Sequence, residues 1–148
     1  MKNIKYNSED IISHHSVAAI IKNQKGEILM QEHTKYGFWT IPVGKVKNGQ
    51  NVEDGLKQEI LEECNISIKK FKELIVRDYT YNRDGNEVLI ISHLFEVVSY
   101  NGEIKNNELQ KHKQQIFLPI SEIKRLSYLS DLTLLYLEIL GFKRDAKI

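Results

Sequence analysis

The sequence predicts a mixed α/β domain in which helices flank a mixed β-sheet. Apolar runs rich in β-branched residues recur in the first two thirds of the chain, and such runs are typical of buried strands. A segment with the apolar spacing of a helix lies between them, and further helical patterns close the chain. No repeat, low-complexity tract or Pro/Gly-rich linker divides the 148 residues, so one domain is expected over 1–148.

The first predicted elements are two strands. Residues 17–21 are apolar and β-branched, residues 23–26 have the composition of a turn, and residues 27–32 are expected to be the hairpin partner. A loop at 35–37 and a short extended piece at 39–42 should follow.

The next predicted element is a helix that begins after Asn51, a residue that caps helices well, and runs to about Cys64. Its apolar stripe consists of Val52, Leu56, Ile60 and Cys64. The position of the thiol on this stripe predicts a small buried side chain, and a single cysteine excludes an internal disulfide or a cysteine-based zinc cluster.

Two long strands are predicted at residues 72–81 and 87–98, since the Asp84-Gly85 pair between them is a strong hairpin signal.

Residues 115–118 predict another strand, which Pro119 ends. Two helices should follow, near 121–126 and 131–140, with Gly141 as the C-cap of the second.

Three carboxylates, Glu59, Glu62 and Glu63, lie three and four residues apart and share one stripe of the predicted helix. Their mutual repulsion is tolerated on a solvated face, or where a hard cation lies among the oxygens. Mg²⁺ suits the second arrangement, because it binds a few carboxylates, keeps several waters and contacts substrate phosphates. The stripe alone favours the solvated face.

Residues 42–66, PVGKVKNGQNVEDGLKQEILEECNI, resemble the signature of the Nudix hydrolases, G-x5-E-x7-R-E-U-x-E-E-x-G-U, where U is a bulky aliphatic residue. The positions that match are Gly44, Glu59, Ile60, Glu62, Glu63 and Ile66. Trp39 and Pro42 also match the approach to this motif, and the wider resemblance covers residues 16–126. With these residues in register, the metal-site hypothesis outweighs the solvated face.

Four positions depart from the family pattern. Gln50 replaces the first glutamate and Gln58 replaces the arginine, so both lose a charge, although glutamine still donates hydrogen bonds. Asn65 replaces the second glycine, a mild change because asparagine also adopts the left-handed C-cap conformation. Val43 replaces a glycine that often precedes Gly44.

The resemblance implies a Nudix-type α/β/α sandwich and a site that uses Mg²⁺ or Mn²⁺. It implies that Glu59, Glu62 and Glu63 are the catalytic and metal-binding residues, with a backbone carbonyl at Val43 or Gly44 completing the metal shell. Glu59 or an acid from a later loop would be the base.

Three further residues are candidates for binding substrate. Lys45 follows the motif glycine and can reach a phosphate oxygen. Glu108 lies with His112 in a loop from which family members often draw a further metal ligand or base, although a solvated loop acid is the commoner role. Arg77 shares one strand face with Tyr79, Tyr81 and Arg83, and this face is either a substrate cleft or exposed surface.

Two aromatic residues and one histidine have a structural and a functional interpretation. Phe38 and Trp39 can stack on a nucleobase, but a tryptophan at this position more often packs in the core. His93 is expected to be a hydrogen-bonded residue of a sheet.

The leading hypothesis is a metal-dependent pyrophosphohydrolase that cleaves a nucleoside diphosphate linked to another moiety, such as a nucleoside triphosphate, a nucleotide sugar, ADP-ribose or a dinucleoside polyphosphate. The alternative is a catalytically weak or inactive nucleotide-sensing domain of the same fold, which the losses at Gln50 and Gln58 motivate. Isopentenyl diphosphate isomerase chemistry is disfavoured, because it needs a cysteine acid and Cys64 lies inside the predicted helix.

A formal net charge of +1 gives no electrostatic reason to expect nucleic-acid or membrane binding. The first twelve residues lack the apolar stretch of a signal peptide, so a cytoplasmic location is expected. A homodimer is compatible with the resemblance.

Overall fold

Seven strands and three helices make up the part of the chain that the structure, a computed structural model, describes, namely residues 13–142. The strands are β1 Ser13–Ile20, β2 Ile28–His33, β3 Trp39–Thr40, β4 Val43–Lys45, β5 Ser67–Arg83, β6 Asn86–Asn101 and β7 His112–Leu118. The helices are α1 Val52–Cys64, α2 Ile120–Ile123 and α3 Asp131–Ile139. The expectation about a leader falls on residues 1–12, which lie outside the described part.

The strands form two sheets. The larger sheet has the order β4-β1-β6-β5, in which β1 is parallel to β6 while the other neighbours are antiparallel. The smaller sheet is antiparallel, with the order β3-β2-β7. The predicted mixed sheet is therefore confirmed.

Side chains of β1 alternate between two cores. Val17 and Ala19 face the core that α1 covers, and Ala18 and Ile20 face the core that α3 covers. Helices thus pack on both sides of the sheet layer, which confirms the predicted α/β/α sandwich.

The predicted β1–β2 hairpin forms only at its turn, and beyond the turn the two strands belong to different sheets. They meet only at their ends, through a bridge between Lys22 and Ile28 and a 2.9 Å hydrogen bond from Leu29 N–H to the Ile21 carbonyl. Beyond the turn, β1 pairs with β4 and β6, whereas β2 pairs with β3 and β7.

Other elements match the predictions except in length. The β5–β6 hairpin is longer at both ends, and its turn contains Asp84 and Gly85 at φ of 53° and 81°, as the hairpin signal predicted. Helix α2 ends at Ile123, three residues earlier than expected. Helix α3 begins after Ser130 and is followed by Gly141 at φ of 93°. Within residues 13–142, no helix has the length and apolar character needed to span a bilayer.

Candidate functional site

Helix α1 positions the three predicted acids. Asn51 caps it by accepting a first-turn backbone N–H at 2.8 Å, and Asn65 ends it at φ of 68°, so both predicted caps are confirmed. The buried apolar stripe sets the rotation of the helix about its axis. Glu59 is therefore half-buried and Glu63 buried on one flank, whereas Glu62 lies on the exposed side.

Strand β4 places Gly44 directly against Glu59. A Cβ atom at Gly44 would lie 2.2 Å from Glu59 Oε1 and 2.5 Å from its Cγ, closer than real Cβ atoms approach. Only glycine therefore lets this carboxyl group pack onto β4. The pKa of Glu59 is raised, first by burial and then by the negative charge of Glu62.

Glu63 is the most buried of the three acids, with 4% exposure. Burial raises its pKa to about 8, against a hydrogen bond from Gln31 Nε2 to Glu63 Oε1 at 3.4 Å, which favours the ionised form. The negative charges of Glu59 and Glu108 contribute to the same raised pKa. In the absence of a cation, such a group is mostly protonated at pH 7.

Gln31 of β2 organises the layer beneath Glu63, and sequence reasoning missed it. Its Nε2 also lies 3.2 Å from His112 Nε2, and its Oε1 accepts a hydrogen bond from Gln115 at 3.0 Å. Because the amide nitrogen can only donate, His112 accepts through Nε2, and burial lowers the pKa of this histidine. The available signal was a glutamine that directly follows the three apolar residues at the start of β2.

Cys64 is fully buried, as predicted, and donates weakly to Gln31 Oε1 at 3.8 Å. Burial raises the pKa of its thiol. A buried, poorly ionised thiol is unsuited to acid–base chemistry on a substrate.

A cleft of about 450 Å³ opens over Glu59 and Glu63. Its lining residues are Val43, Gly44, Lys45, Lys47, Asn48, Glu59, Glu63 and Lys111. Lys45, a candidate from the sequence, lines the cleft together with Lys47 and Lys111, which were not singled out from the sequence. Two carboxyl groups beside three ammonium groups can bind a cation and a polyanion together.

Of two further predicted substrate residues, Glu108 lies near the acids of the cleft, whereas Arg77 does not line the cleft. The negative charge of Glu108 raises the pKa of both Glu59 and Glu63, so this loop acid belongs to the same cluster. Glu108 also pairs with Lys111 at 3.3 Å. Arg77 is exposed on β5 and lines neither the cleft nor the aromatic cavity described below.

The carboxylate oxygens of these acids are the type of ligand that a hard divalent cation prefers, but in the described part of the chain their positions do not form a shared metal site. Burial, and then the negative charges of neighbouring acids, raise the pKa of Glu59 and Glu63, and a bound cation would offset that charge repulsion. Within residues 13–142, no three His, Cys, Asp or Glu side chains are arranged to share one metal ion. Glu62 instead accepts a hydrogen bond from Gln58 at 2.9 Å.

A second cavity, of about 570 Å³, adjoins the cleft; its lining is mostly apolar and includes five aromatic side chains, so we call it the aromatic cavity. Its lining residues are Ser16, Tyr36, Phe38, Val43, Tyr79, Tyr81, Ile90, Ser92, Tyr128, Leu129, Ser130, Asp131 and Leu132. Val43 lines both spaces. Tyr79 and Tyr81 of β5 thus line a cavity, and the Tyr81 hydroxyl donates to Asp131 Oδ2 at 2.5 Å. That this face binds substrate stays a prediction.

The neighbouring aromatic residues divide between cavity and core. Phe38 lines the cavity and makes an edge-on contact with Tyr128 at a centroid distance of 5.8 Å. Trp39 packs against the core beneath α3, as the structural interpretation predicted. His93 bonds to Glu73 at 2.9 Å and to His15 at 2.8 Å, as expected of a sheet residue.

Comparison with known proteins gave one family and a consistent set of folds. A model of the NUDIX domain matches residues 12–134. An 8-oxo-dGTP diphosphatase of Buchnera aphidicola is 30% identical over 94 residues, which cover 62% of this chain and 68% of that protein. The 8-oxo-dGDP phosphatase NUDT18 of Danio rerio is 32% identical over 65 residues, 42% of this chain and only 20% of that protein.

Two solved structures show the same fold. A MutT NUDIX hydrolase from Burkholderia pseudomallei superposes with a TM-score of 0.72 at 24% identity, covering 85% of this chain and 96% of that one. The solution structure of the E. coli ORF135 protein gives a TM-score of 0.70 at 22% identity, covering 91% and 93%.

Proposed function

This chain belongs to the Nudix hydrolase family, whose members cleave phosphoanhydride bonds, and from that premise we propose that it is a metal-dependent pyrophosphohydrolase acting on nucleoside triphosphates. The observation that carries the proposal is the junction at Val43 between the charged cleft and the aromatic cavity. A nucleotide has the same two parts, a polyanion and a flat base, joined by a sugar.

The base would occupy the aromatic cavity. Stacking of a base on an aromatic ring is worth about 1–3 kcal/mol and works for any base. The side chains of Phe38 and Tyr128 supply such rings, while the Asp131 carboxylate can accept a hydrogen bond from a base N–H group. Oxidised guanine nucleotides are the first substrates to test, since the relatives from Buchnera aphidicola and Danio rerio are named for them.

The phosphates would occupy the cleft. Lys45, Lys47 and Lys111 can each offer an ammonium group to phosphate oxygens. Glu59, Glu62 and Glu63 would hold Mg²⁺ or Mn²⁺, with Glu108 nearby and a carbonyl at Val43 or Gly44 completing the shell. The ion supplies charge neutralisation on the diphosphate.

The residues of this chain would then orient and deprotonate the attacking water. As a water oxygen bonds to phosphorus, the bond to the bridging oxygen breaks and a carboxylate takes the proton. Glu59 suits this role because its half-buried carboxyl group lines the cleft and burial raises its pKa, which makes the carboxylate a stronger base. Glu108, the loop acid of the same cluster, is the other candidate base.

The test is hydrolysis of a nucleotide panel that contains 8-oxo-dGTP, dGTP, ADP-ribose, a nucleotide sugar and a dinucleoside polyphosphate, with Mg²⁺ and with Mn²⁺. Glu62→Gln/Glu63→Gln is the inactive variant, and Arg77→Gln, on the exposed face of β5, is the matched control. Metal-dependent turnover that the double variant loses and the control retains supports the proposal. Nucleotide binding without turnover, unchanged in the double variant, would instead support the sensing domain.

A homodimer and a cytoplasmic location stay predictions. Sedimentation of the purified protein and fractionation of the source cells test them.

A further inference from the structure

Gln50 and Gln58, the two positions at which neutral residues replace charged residues of the Nudix signature, contact each other. Gln50 Nε2 lies 2.5 Å from Gln58 Oε1, and Gln58 Nε2 lies 2.9 Å from Glu62 Oε2. The other end of this chain of hydrogen bonds is the backbone N–H of Lys47, 3.1 Å from Gln50 Oε1.

The two ends of this series of hydrogen bonds, Lys47 and Glu62, determine the orientation of the Gln50 and Gln58 amides. The Lys47 N–H can only donate, so Gln50 presents its oxygen there and its NH₂ group to Gln58. The Glu62 carboxylate, when ionised, can only accept, so Gln58 presents its NH₂ group there and its oxygen to Gln50. All three hydrogen bonds therefore point from Lys47 towards Glu62.

We propose that Gln50 and Gln58 are positioning residues that act as one unit and hold the Glu62 carboxylate for the divalent cation. This role rests on the proposed function, since it assigns Glu62 to the metal. None of Gln50, Gln58 and Glu62 lines the cleft, but Glu62 Oε2 lies 4.0 Å from Nζ of Lys47, which does line it. The two glutamines therefore act through Glu62. The two departures from the family signature thus compensate for each other, because a directed chain of neutral amides replaces the charged residues.

The substitution Gln50→Glu separates orientation from charge. A carboxylate at position 50 can no longer donate to Gln58 Oε1, so the Gln58 amide must rotate to donate to it. The Gln58 oxygen then faces Glu62 and repels it. If charge alone mattered, an added negative charge near the site would instead strengthen cation binding. The two mechanisms predict changes of opposite sign.

The experiment measures the Mn²⁺ dissociation constant by calorimetric titration, together with kcat and KM. Loss of a residue that orients a metal ligand weakens binding by 10–100-fold, and the lower end, about tenfold, is expected because Glu62 is 43% exposed. Gln50→Glu should show this weakening and a comparable fall in kcat, with KM nearly unchanged. Gln24→Glu, an exposed glutamine in the β1–β2 turn, is the charge-matched control and should leave all three unchanged.

A second background tests whether the effect passes through Gln58. Gln58→Met keeps the length of the side chain and removes the amide, so it too should weaken Mn²⁺ binding about tenfold. In that background Gln50→Glu should weaken binding no further, because no amide remains to rotate. Circular dichroism without metal confirms that each variant is folded.

The outcomes separate this role from the proposed function. Wild-type protein that neither binds Mn²⁺ nor hydrolyses any nucleotide overturns both. Active wild-type protein whose Gln50→Glu variant binds Mn²⁺ as tightly as the wild type, or more tightly, overturns only the positioning role. Independent losses that multiply in the double variant also overturn it, since the two glutamines would then not act as a unit.

Discussion

Replacing Gly44 by alanine should separate the stability of this protein from its activity. The added Cβ would lie 2.2, 2.4 and 2.5 Å from Oε1, Cδ and Cγ of Glu59. All three atoms belong to the outer part of a flexible, half-buried side chain, so Glu59 can rotate away from β4. The backbone at Gly44 is not in the left-handed region, so alanine adds no backbone strain.

The expected magnitudes differ in the two measurements. Displacing Glu59 to a poorer rotamer should lower the free energy of unfolding by about 1 kcal/mol. The carboxyl group must retreat by about 1 Å or more to reach ordinary contact distance, and a displacement of 1 Å in a reacting group can reduce turnover about 100-fold. Turnover should therefore fall about 100-fold while the protein stays folded.

Urea unfolding gives the stability, and steady-state hydrolysis of the best substrate gives kcat. The matched control is Gly26→Ala, where nothing lies within 4 Å but φ is +79°. Alanine there should also lose about 1 kcal/mol, through backbone strain, and keep full turnover.

A double variant with Glu59→Ala provides the second check. With the clashing atoms removed, Gly44→Ala should reduce kcat no further. Full activity in Gly44→Ala, or two losses that multiply, would refute the reasoning.

Three further predictions concern the bound metal ion, the buried carboxyl group of Glu63 and the nucleobase of the substrate. Mn²⁺ at 100 times its dissociation constant should stabilise the protein by about 2.7 kcal/mol in thermal unfolding, and Glu62→Gln/Glu63→Gln should lose that increment. In EDTA, wild-type stability should fall as the pH rises from about 4.5 towards 8, because the pKa of Glu63 is about 8 in the folded protein, so the folded state holds a proton that the unfolded chain has released. Urea midpoints of Glu63→Gln should change less steeply over this pH range because the contribution of Glu63 is gone, and an equal slope would contradict the assignment. Phe38→Leu should raise KM about tenfold with little change in kcat if the ring stacks on the base, whereas an unchanged KM would place the base elsewhere.

The candidate site shows which kind of residue a sequence can reveal. Glu59 and Glu63 were identifiable because their spacing and the nearby glycine lie within one continuous segment, and the structure places both at the cleft. Gln31 was not identifiable, since it meets His112 across 81 residues of sequence and a lone glutamine in a strand has many uses. Arg77 was selected because it shares one face of β5 with Tyr79 and Tyr81. A shared strand face does not show which of its side chains will line a cavity.

What the sequence by itself determined is local: the Asn51 cap, the left-handed conformation of Asn65, the Asp84-Gly85 turn and the apolar stripe of α1. These follow from interactions within a few residues, so the chain encodes them directly. Only the tertiary structure decided that β1 pairs with β6 rather than β2, and that the aromatic cavity joins the cleft at Val43. Such pairings depend on burying both faces of each strand at once, a condition set by the whole chain.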